Sequence, residues 1–474
     1  MTTTSFSILG LDASLLANLE SMGYQAMTPV QAQSLPAILQ GDDLIVQAET
    51  GSGKTAAFGI GLLTRLNARD FKVQALVLCP TRELADQVSK EIRRLASYIP
   101  NVKLLTLCGG TPYGPQSGSL EHGAHIIVGT PGRVMKHLRK GSLKLDKLKI
   151  LVLDEADRML DMGFYDDIAE IVAAMPDNRQ TLLFSATYPE AIKHISASMQ
   201  ENPGRVSVEA THTQSMIEQV FYEVPQSTLS CSAIHLVAGT SKRVAALVAL
   251  LIHYNPASCV IFCNTKQQCQ ELADTLQAKG FSALALHGDL EQRDRDQVLV
   301  RFSNKSCSVL VATDVAARGL DIKDLEAVIN FELSQDPEVH IHRIGRTGRA
   351  GKAGLALSLY IAAESHRVNA IEDYQKGPIS FSSIDSLQVN QKIDFRPRMV
   401  TLCIDGGRKS KVRPGDILGA LTSGSGIAGD QVGKIDIFDR QAYVAIERSM
   451  ADKALQQLST GKMKGRYFKA RKLQ

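Results

Sequence analysis

"DLIVQAETGSGKTAAF", residues 43–58, decides the fold of this chain. It opens as an apolar strand, passes through a short segment rich in glycine and hydroxyl side chains, and closes as a helix that begins near Gly53. A strand–loop–helix turn of this composition is built to hold phosphate. Glycines let successive backbone N–H groups face one anion, the helix N-terminus adds a positive field, and the lysine brings a mobile full charge. Ala48, Glu49, Thr50, Gly51, Ser52, Gly53, Lys54 and Thr55 form the candidate loop, with Lys54 for the phosphates of ATP and the Thr55 hydroxyl for Mg²⁺. The usual pattern begins with Gly where this chain has Ala48. A Gly-Ser turn that merely opens a helix is the bland alternative.

A phosphate-loop strand in a doubly wound sheet calls for a neighbouring strand whose C-terminal end carries an acid toward the metal. "KILVLDEADRML" (149–160) supplies it: an apolar run ends in Asp154 and Glu155, and Asp157 follows. Asp154 is the expected Mg²⁺ ligand. Glu155 is placed to orient or deprotonate the water that attacks the γ-phosphate. Asp157 faces the same crevice and would anchor Ser185 or Thr187 of "SAT". Acids also favour the first turn of any helix, which is the competing explanation.

Working outward, short continuous apolar runs alternate with helical patterns: "ALVLCP" (75–80), "HIIVGT" (125–130) and "QTLLFSAT" (180–187), then "SCVIFCN" (258–264), "ALALHG" (283–288), "SVLVAT" (308–313), "AVINFE" (327–332) and "LALSLY" (355–360). Such runs suit strands of a parallel sheet covered on both faces. The pattern predicts two α/β domains, 1–208 and 218–376, joined by a polar linker near 208–217. Residues 399–474 then read strand–helix–strand–strand–helix–strand, the ferredoxin-like order of RNA-recognition domains. From Val400 to Gln474 there are 14 Lys+Arg against 7 Asp+Glu, a net of +7, in a chain of net +4, so the first 399 residues carry −3. A basic end of this kind points to an anionic partner.

The second domain has no phosphate loop of its own. It offers "HRIGRTGRAG" (342–351), where Arg343, Arg346 and Arg349 recur every three residues. Arg346 and Arg349 are candidates to reach one anionic site, as arginine fingers do in phosphoryl transfer. A generic phosphate patch is the alternative.

Taken in order, the motifs resemble those of the DEAD-box RNA helicases over residues 5–375. Phe6 and "GYQAMTPVQ" (23–31) are followed by "AETGSGKT", "PTRELA" (80–85), "GG" (109–110), "TPGR" (130–133), "DEAD" (154–157) and "SAT" (185–187). The second half adds "VIFCNT" (260–265), "HGD" (287–289), "ATDVAARGLD" (312–321) and "HRIGRTGR". The resemblance implies two RecA-like domains, ATP and Mg²⁺ between them, and RNA as partner. It implies that Gln31 reads the adenine edge, that Tyr24 stacks on the base and that Asp321 holds the ribose. It also implies that Arg82, Gly110, Thr130, Arg133, Thr265, Gly288 and Thr313 line an RNA backbone. The added basic tail is similar to that of bacterial helicases directed to large-subunit (23S) ribosomal RNA. In the tail, Ala442 and Ile446 stand near positions where stacking rings are often found, and "TLCIDG" (401–406) has no aromatic, so a base-stacking sheet is doubtful. Lys409, Lys411, Arg413, Lys462, Lys464 and Arg466 are expected to grip a structured RNA instead.

The remaining features bound the setting. No run reaches the ~18 apolar residues of a membrane helix, and "MTTTSFSILG" lacks the basic and apolar regions of a signal peptide. The eight cysteines form no Cys-x-x-Cys pair, so reduced buried thiols are expected rather than a zinc site. A cytoplasmic monomer is the expectation. A DNA translocase on the same core, and an RNA clamp whose ATPase times release, are the rival readings.

Overall fold

The structure is a computed structural model that describes residues 5–48, 51–188, 190–208, 217–225, 241–317, 325–348, 353–375, 377, 379–388, 395–423 and 426–473. Glu49, Thr50, Asp321 and Arg349, all named above, lie outside the described residues. So does most of the predicted linker.

The first unit holds β1 (Leu44–Gln47), β2 (Ala75–Leu78), β3 (Leu104–Leu107), β4 (Ile126–Gly129), β5 (Ile150–Asp154), β6 (Gln180–Ser185) and β7 (Gly204–Ser207). They form one parallel sheet in the order β3-β4-β2-β5-β6-β1-β7. Apolar clusters cover both faces, one around Phe58, Val77, Val152 and Phe184, the other around Leu76, Leu151, Met159 and Leu183. This is why its strands read as continuous apolar runs. The acid-bearing strand β5 is not the immediate neighbour of β1, as the sequence suggested. β6 lies between them, so the end of β6, Ser185, is inserted between the phosphate loop and the acids.

The second unit repeats the plan. It contains β8 (Ile217–Glu223), β9 (Cys259–Cys263), β10 (Ala283–Leu286), β11 (Val309–Thr313), β12 (Ala327–Asn330), β13 (Gly354–Tyr360) and β14 (Ser380–Ser383). Their order is β10-β11-β9-β12-β13-β8-β14, again all parallel. Counted from the first strand of each sheet, the two orders are identical. β14 lies past residue 376, where the sequence pattern loses its apolar signal, because all four of its residues are exposed.

The same unit carries the C-terminal domain, with β15 (Met399–Ile404), β16 (Val432–Ile437), β17 (Ala442–Glu447) and β18 (Ala470–Lys472) in the antiparallel order β16-β17-β15-β18. Helices Pro414–Thr422 and Ala451–Thr460 cover one face over Leu402, Ile404, Val444 and Ile446. Ala442 and Ile446 belong to this helix-covered core, so they are not on the open face where stacking rings would stand. Period-2 alternation puts Thr401, Cys403 and Tyr443 on the opposite face. That face packs on the second helicase domain: Cys403 and Tyr443 cluster with Val300, and Thr401 Oγ1 meets Ser306 Oγ at 2.6 Å and accepts from Asn304 Nδ2 at 3.3 Å. Lys434 Nζ donates to Ser303 Oγ at 2.7 Å.

Candidate functional site

The loop after β1 takes its shape from glycine. Gly51 and Gly53 have φ of 91° and 97°, and Gly53 caps the helix Lys54–Thr64. A Cβ on Gly53 would stand 2.6 Å from Gln31 Nε2 and 2.9 Å from Thr28 Oγ1, so only glycine fits. The close approach is functional in form: Thr28 and Gln31 make a capping box at the start of helix Pro29–Gln40, and Gln31 Nε2 donates to Gly53 O at 3.1 Å. Gln31, 1% exposed, thus ties the segment ahead of the sheet to the phosphate loop. Tyr24 packs edge-on to Phe6 and donates from its hydroxyl to Glu91 Oε1 at 2.6 Å. Burial and this carboxylate push the Tyr24 phenol upward. Lys54 is buried, and its Nζ donates back to Ala48 O at 2.7 Å. Thr55, half-buried, follows it in the first helical turn.

At the end of β5, Asp154, Glu155, Asp157 and Arg158 are all buried. Burial pushes the Asp154 carboxyl up to about 7, against the opposing pull of Lys54. Glu155 sits in the left-handed region (φ 55°, ψ 52°) between the strand and the helix Ala156–Asp161, and pairs with Arg158 at 2.6 Å. Asp157 Oδ2 accepts from Ala186 N, Thr187 N and Thr187 Oγ1 at 3.0–3.1 Å. Burial acts upward on Asp157, but Arg158, Lys54 and the Thr187 N–H hold it below the usual carboxylate range. Of the two "SAT" side chains Asp157 was expected to anchor, it takes Thr187; the buried Ser185 Oγ has no hydrogen-bond partner among the described residues.

The other first-domain candidates come together on three adjacent strands. The loops after β2, β3 and β4 carry Arg82, Gly110, and Thr130 with Arg133. Helices Arg82–Leu95 and Pro131–Arg139 start there, so two positive helix ends share one edge of the sheet. Arg133 Nη1 donates to Thr111 O at 2.9 Å and Gln116 Oε1 at 2.7 Å, which ties its loop to the one after β3.

The second domain places its set on the equivalent strands. Thr265 follows β9 and caps helix Lys266–Ala278, Gly288 follows β10, and Thr313 ends β11; these strands are neighbours in the order β10-β11-β9. The two described arginines of "HRIGRTGR" are placed differently. Arg343 is an internal strut, 2% exposed, gripping Asp314 with two bonds of 2.7 and 2.8 Å and donating to Asn330 Oδ1, Glu332 O and Asn264 Oδ1. Arg346 lies just past the helix Pro337–Ile344.

In the C-terminal domain the six named cations are exposed, in two loops. Lys464 joins the loops, donating to Lys411 O at 2.8 Å and pairing with Asp416 at 3.1 Å. Tyr467, which the sequence did not single out, precedes the last strand (Ala470–Lys472) and is left 64% exposed beside Lys462, whose Nζ is 5.3 Å from the ring centroid.

Among the described residues no group of three or more His, Cys, Asp or Glu is arranged as a metal cage, and no helix is long and apolar enough to cross a membrane. The seven described cysteines are buried and unpaired.

Family descriptions match this layout segment by segment: "DEAD/DEAH box helicase" over residues 28–195, "Helicase conserved C-terminal domain" over 242–351 and "DbpA RNA binding domain" over 401–472. The ATP-dependent RNA helicase DbpA of Escherichia coli K12 is 54% identical over 99% of this chain and 100% of its own length. The chain belongs to the DEAD-box ATP-dependent RNA helicases. The Bacillus subtilis DbpA is 36% identical over 97% of both chains, and the Bacillus cereus helicase CshA is 41% identical over 84% of this chain and 73% of its own. Among solved structures, yeast Dbp5 bound to RNA and ADP BeF3 covers 81% of this chain and 96% of its own at 31% identity, TM-score 0.69. CshA and Dbp5 match about four-fifths of this chain, and the DbpA proteins match nearly all of it. This enzyme is therefore an ATP-dependent RNA helicase with an RNA-binding C-terminal domain of the DbpA type.

Proposed function

We propose that this helicase remodels 23S ribosomal RNA during large-subunit assembly, as a cytoplasmic monomer, and that the C-terminal domain chooses the RNA. The observation that carries the reading is the pair of cationic loops joined by Lys464, with Tyr467 between charges. They lie outside the motor in a domain whose own sheet is covered. Cations supply affinity for any phosphate backbone, and an exposed ring adds a stacking surface for an unpaired base. The end-to-end likeness to two proteins named DbpA supports the same choice of target.

In the motor, Lys54 and the loop N–H groups bind the ATP phosphates, Gln31 reads the adenine, Tyr24 stacks on it and Asp321 holds the ribose. Asp154 and Thr55 fit Mg²⁺: they are hard oxygen donors, and Mg²⁺ is bound by one or two carboxylates plus substrate phosphates. A buried carboxyl pushed to about 7 also gains from a cation. When bound, the ion offsets charge on the β- and γ-phosphates. Glu155 orients the attacking water and takes its proton. Arg346 and Arg349 stabilise charge on the γ-phosphate as it departs. Asp157, through Thr187 and with Ser185 nearby, links the acids to the end of β6. Arg82, Gly110, Thr130 and Arg133 in one domain, and Thr265, Gly288 and Thr313 in the other, grip one RNA strand by its backbone. A strand held in a bent form leaves its duplex locally, and phosphate release frees it.

The test compares the intact chain with one lacking residues 400–474. The RNA concentration for half-maximal ATPase is measured with 23S and with unrelated RNA. The preference of the intact chain should vanish on deletion while hydrolysis with generic RNA persists. An unchanged ratio between the two RNAs would place selectivity in the motor.

A further inference from the structure

One buried cation of the acid cluster has no part in the scheme above. Arg158 is 5% exposed, and its Nη1 lies 2.6 Å from Glu155 Oε2, with both side chains about 6% exposed. The backbone arranges this meeting. Glu155 is held in the left-handed region, so the chain turns sharply from β5 into the helix Ala156–Asp161 and brings Arg158 back over the residue three before it. The backbone N–H of Arg158 donates to Asp157 Oδ1 at 2.9 Å, and Asp157 holds Ala186 and Thr187 at the end of β6. A buried ion pair is a poor source of net stability, because desolvation cancels much of its attraction. What it does supply is direction: a charge-assisted bond fixes where a carboxylate points.

We propose that Arg158 is a positioning residue for ATP hydrolysis. By holding Oε2 it keeps the Glu155 carboxylate in one rotamer, and it links that orientation to Asp157 and so to Thr187. A glutamate has three side-chain torsions, and an unheld one would sample many rotamers. Misplacing a reacting group by about 1 Å costs on the order of 100-fold in rate. The inference rests on reading Glu155 as the residue that orients the attacking water.

The experiment is a double-mutant cycle in the full chain at saturating RNA. Single-turnover hydrolysis is followed for the parent, Arg158→Met, Glu155→Gln and the double variant, together with the affinity for fluorescent ADP. Arg158→Met should slow hydrolysis ~10- to 100-fold while ADP affinity stays within about two-fold, and Arg158→Lys should recover part of the rate. In the Glu155→Gln background the same change should cost less than about two-fold, because coupled residues fail to add. Full additivity would overturn the proposal, since a side chain that merely shapes the pocket costs the same whatever stands at 155. A parental rate in Arg158→Met would overturn it too. Should Arg158→Met fail to fold, Arg158→Lys goes through the same cycle. It keeps the charge but loses the planar fork: a rate loss that disappears with Glu155→Gln supports the proposal, and no loss or an additive one overturns it. A parental rate in Glu155→Gln alone would instead strike the reading of Glu155 itself, and the proposal with it.

Discussion

Replacing Arg343 by leucine should cost the second helicase domain a large part of its stability. Arg343 is wholly buried and donates five hydrogen bonds to the ends of three strands: Asn264 after β9, Asp314 after β11, and Asn330 and Glu332 at β12. Its guanidinium also stands 5.1 Å from the Phe262 ring centroid. Leucine leaves the buried Asn330 amide oxygen and the half-buried Glu332 carbonyl without this donor, at about 1–3 kcal/mol each if nothing replaces it, while the exposed Asn264 side chain can rehydrate. The Asp314 side chain is 23% exposed and can rehydrate, so it adds little. The sum, about 2–6 kcal/mol, brackets the ~3–5 kcal/mol for breaking a buried pair by removing one partner, and that narrower range sets the expected shift. At roughly 2–4 °C per kcal/mol for a domain of this size, the melting temperature should fall by about 6–20 °C. Scanning calorimetry of the full chain, with and without ADP, separates the domains, because ADP should raise only the first domain's transition. A fall below about 3 °C in the other transition would show that the strut is not holding the strand ends together. RNA binding should weaken with it, since Thr265 and Thr313 adjoin Asn264 and Asp314.

Gly53→Ala should weaken ATP binding at least ~10-fold, because a left-handed alanine costs about 1–3 kcal/mol and its Cβ would meet Gln31 and Thr28; fluorescent ADP titration at parental affinity would refute the packing argument. Asp154 has a folded-state pKa raised above its unfolded value. The group therefore stabilises the nucleotide-free protein at low pH, relative to its ionised state, and that contribution drains away from about pH 4 to about pH 7. Asp154→Asn should match the parent in stability near pH 4.5 and exceed it by a few kcal/mol near pH 7.5, and melting curves without nucleotide at both pH values test the sign. Lys462→Glu with Lys464→Glu should raise the 23S RNA concentration for half-maximal ATPase and lower the salt slope of binding by about two, while kcat with saturating generic RNA stays put.

That the 48–55 loop, the acids of 154–157 and "SAT" meet at one end of the first sheet was legible because each is local in sequence. The phosphate loop, the acids of 154–157 and "SAT" each lie within eight residues of a strand with a strong apolar signal. β3, β7 and β14 were not legible. They have four residues each: β7 and β14 are almost wholly unburied and show no apolar run, while β3, Leu-Leu-Thr-Leu, has one but is only half buried and too short to stand out. Long-range partners were equally hidden. Nothing in "HRIGRTGR" marks Arg343 as an internal strut; only Asp314, Asn330 and Asn264, 13 to 79 residues away, decide it. The covered sheet of the tail follows the same rule. Its weak aromatic content was visible, but the side chains of Val300, Asn304 and Ser306 that fill the face lie about a hundred residues upstream.

The repeated strand order argues for how one fold was divided between two tasks. In both sheets the second, third and fourth strands lie together and end in the loops proposed to hold RNA, so the proposed backbone binding would draw on the part of the fold the two sheets share. The two halves part at the fifth strand. In the first sheet it ends in Asp154, a buried carboxylate that wants a cation. In the second it ends in Asn330, and the cation is already built in, because Arg343 reaches that end from the helix Pro337–Ile344. A guanidinium cannot be deprotonated under working conditions, so this position has no need of a metal or of a phosphate loop after β8. Arg346, the proposed finger, lies in the segment just past that helix. Moving the charge from a bound ion to the chain would let the second domain take the proposed part of arginine donor without disturbing the three strands proposed to serve RNA.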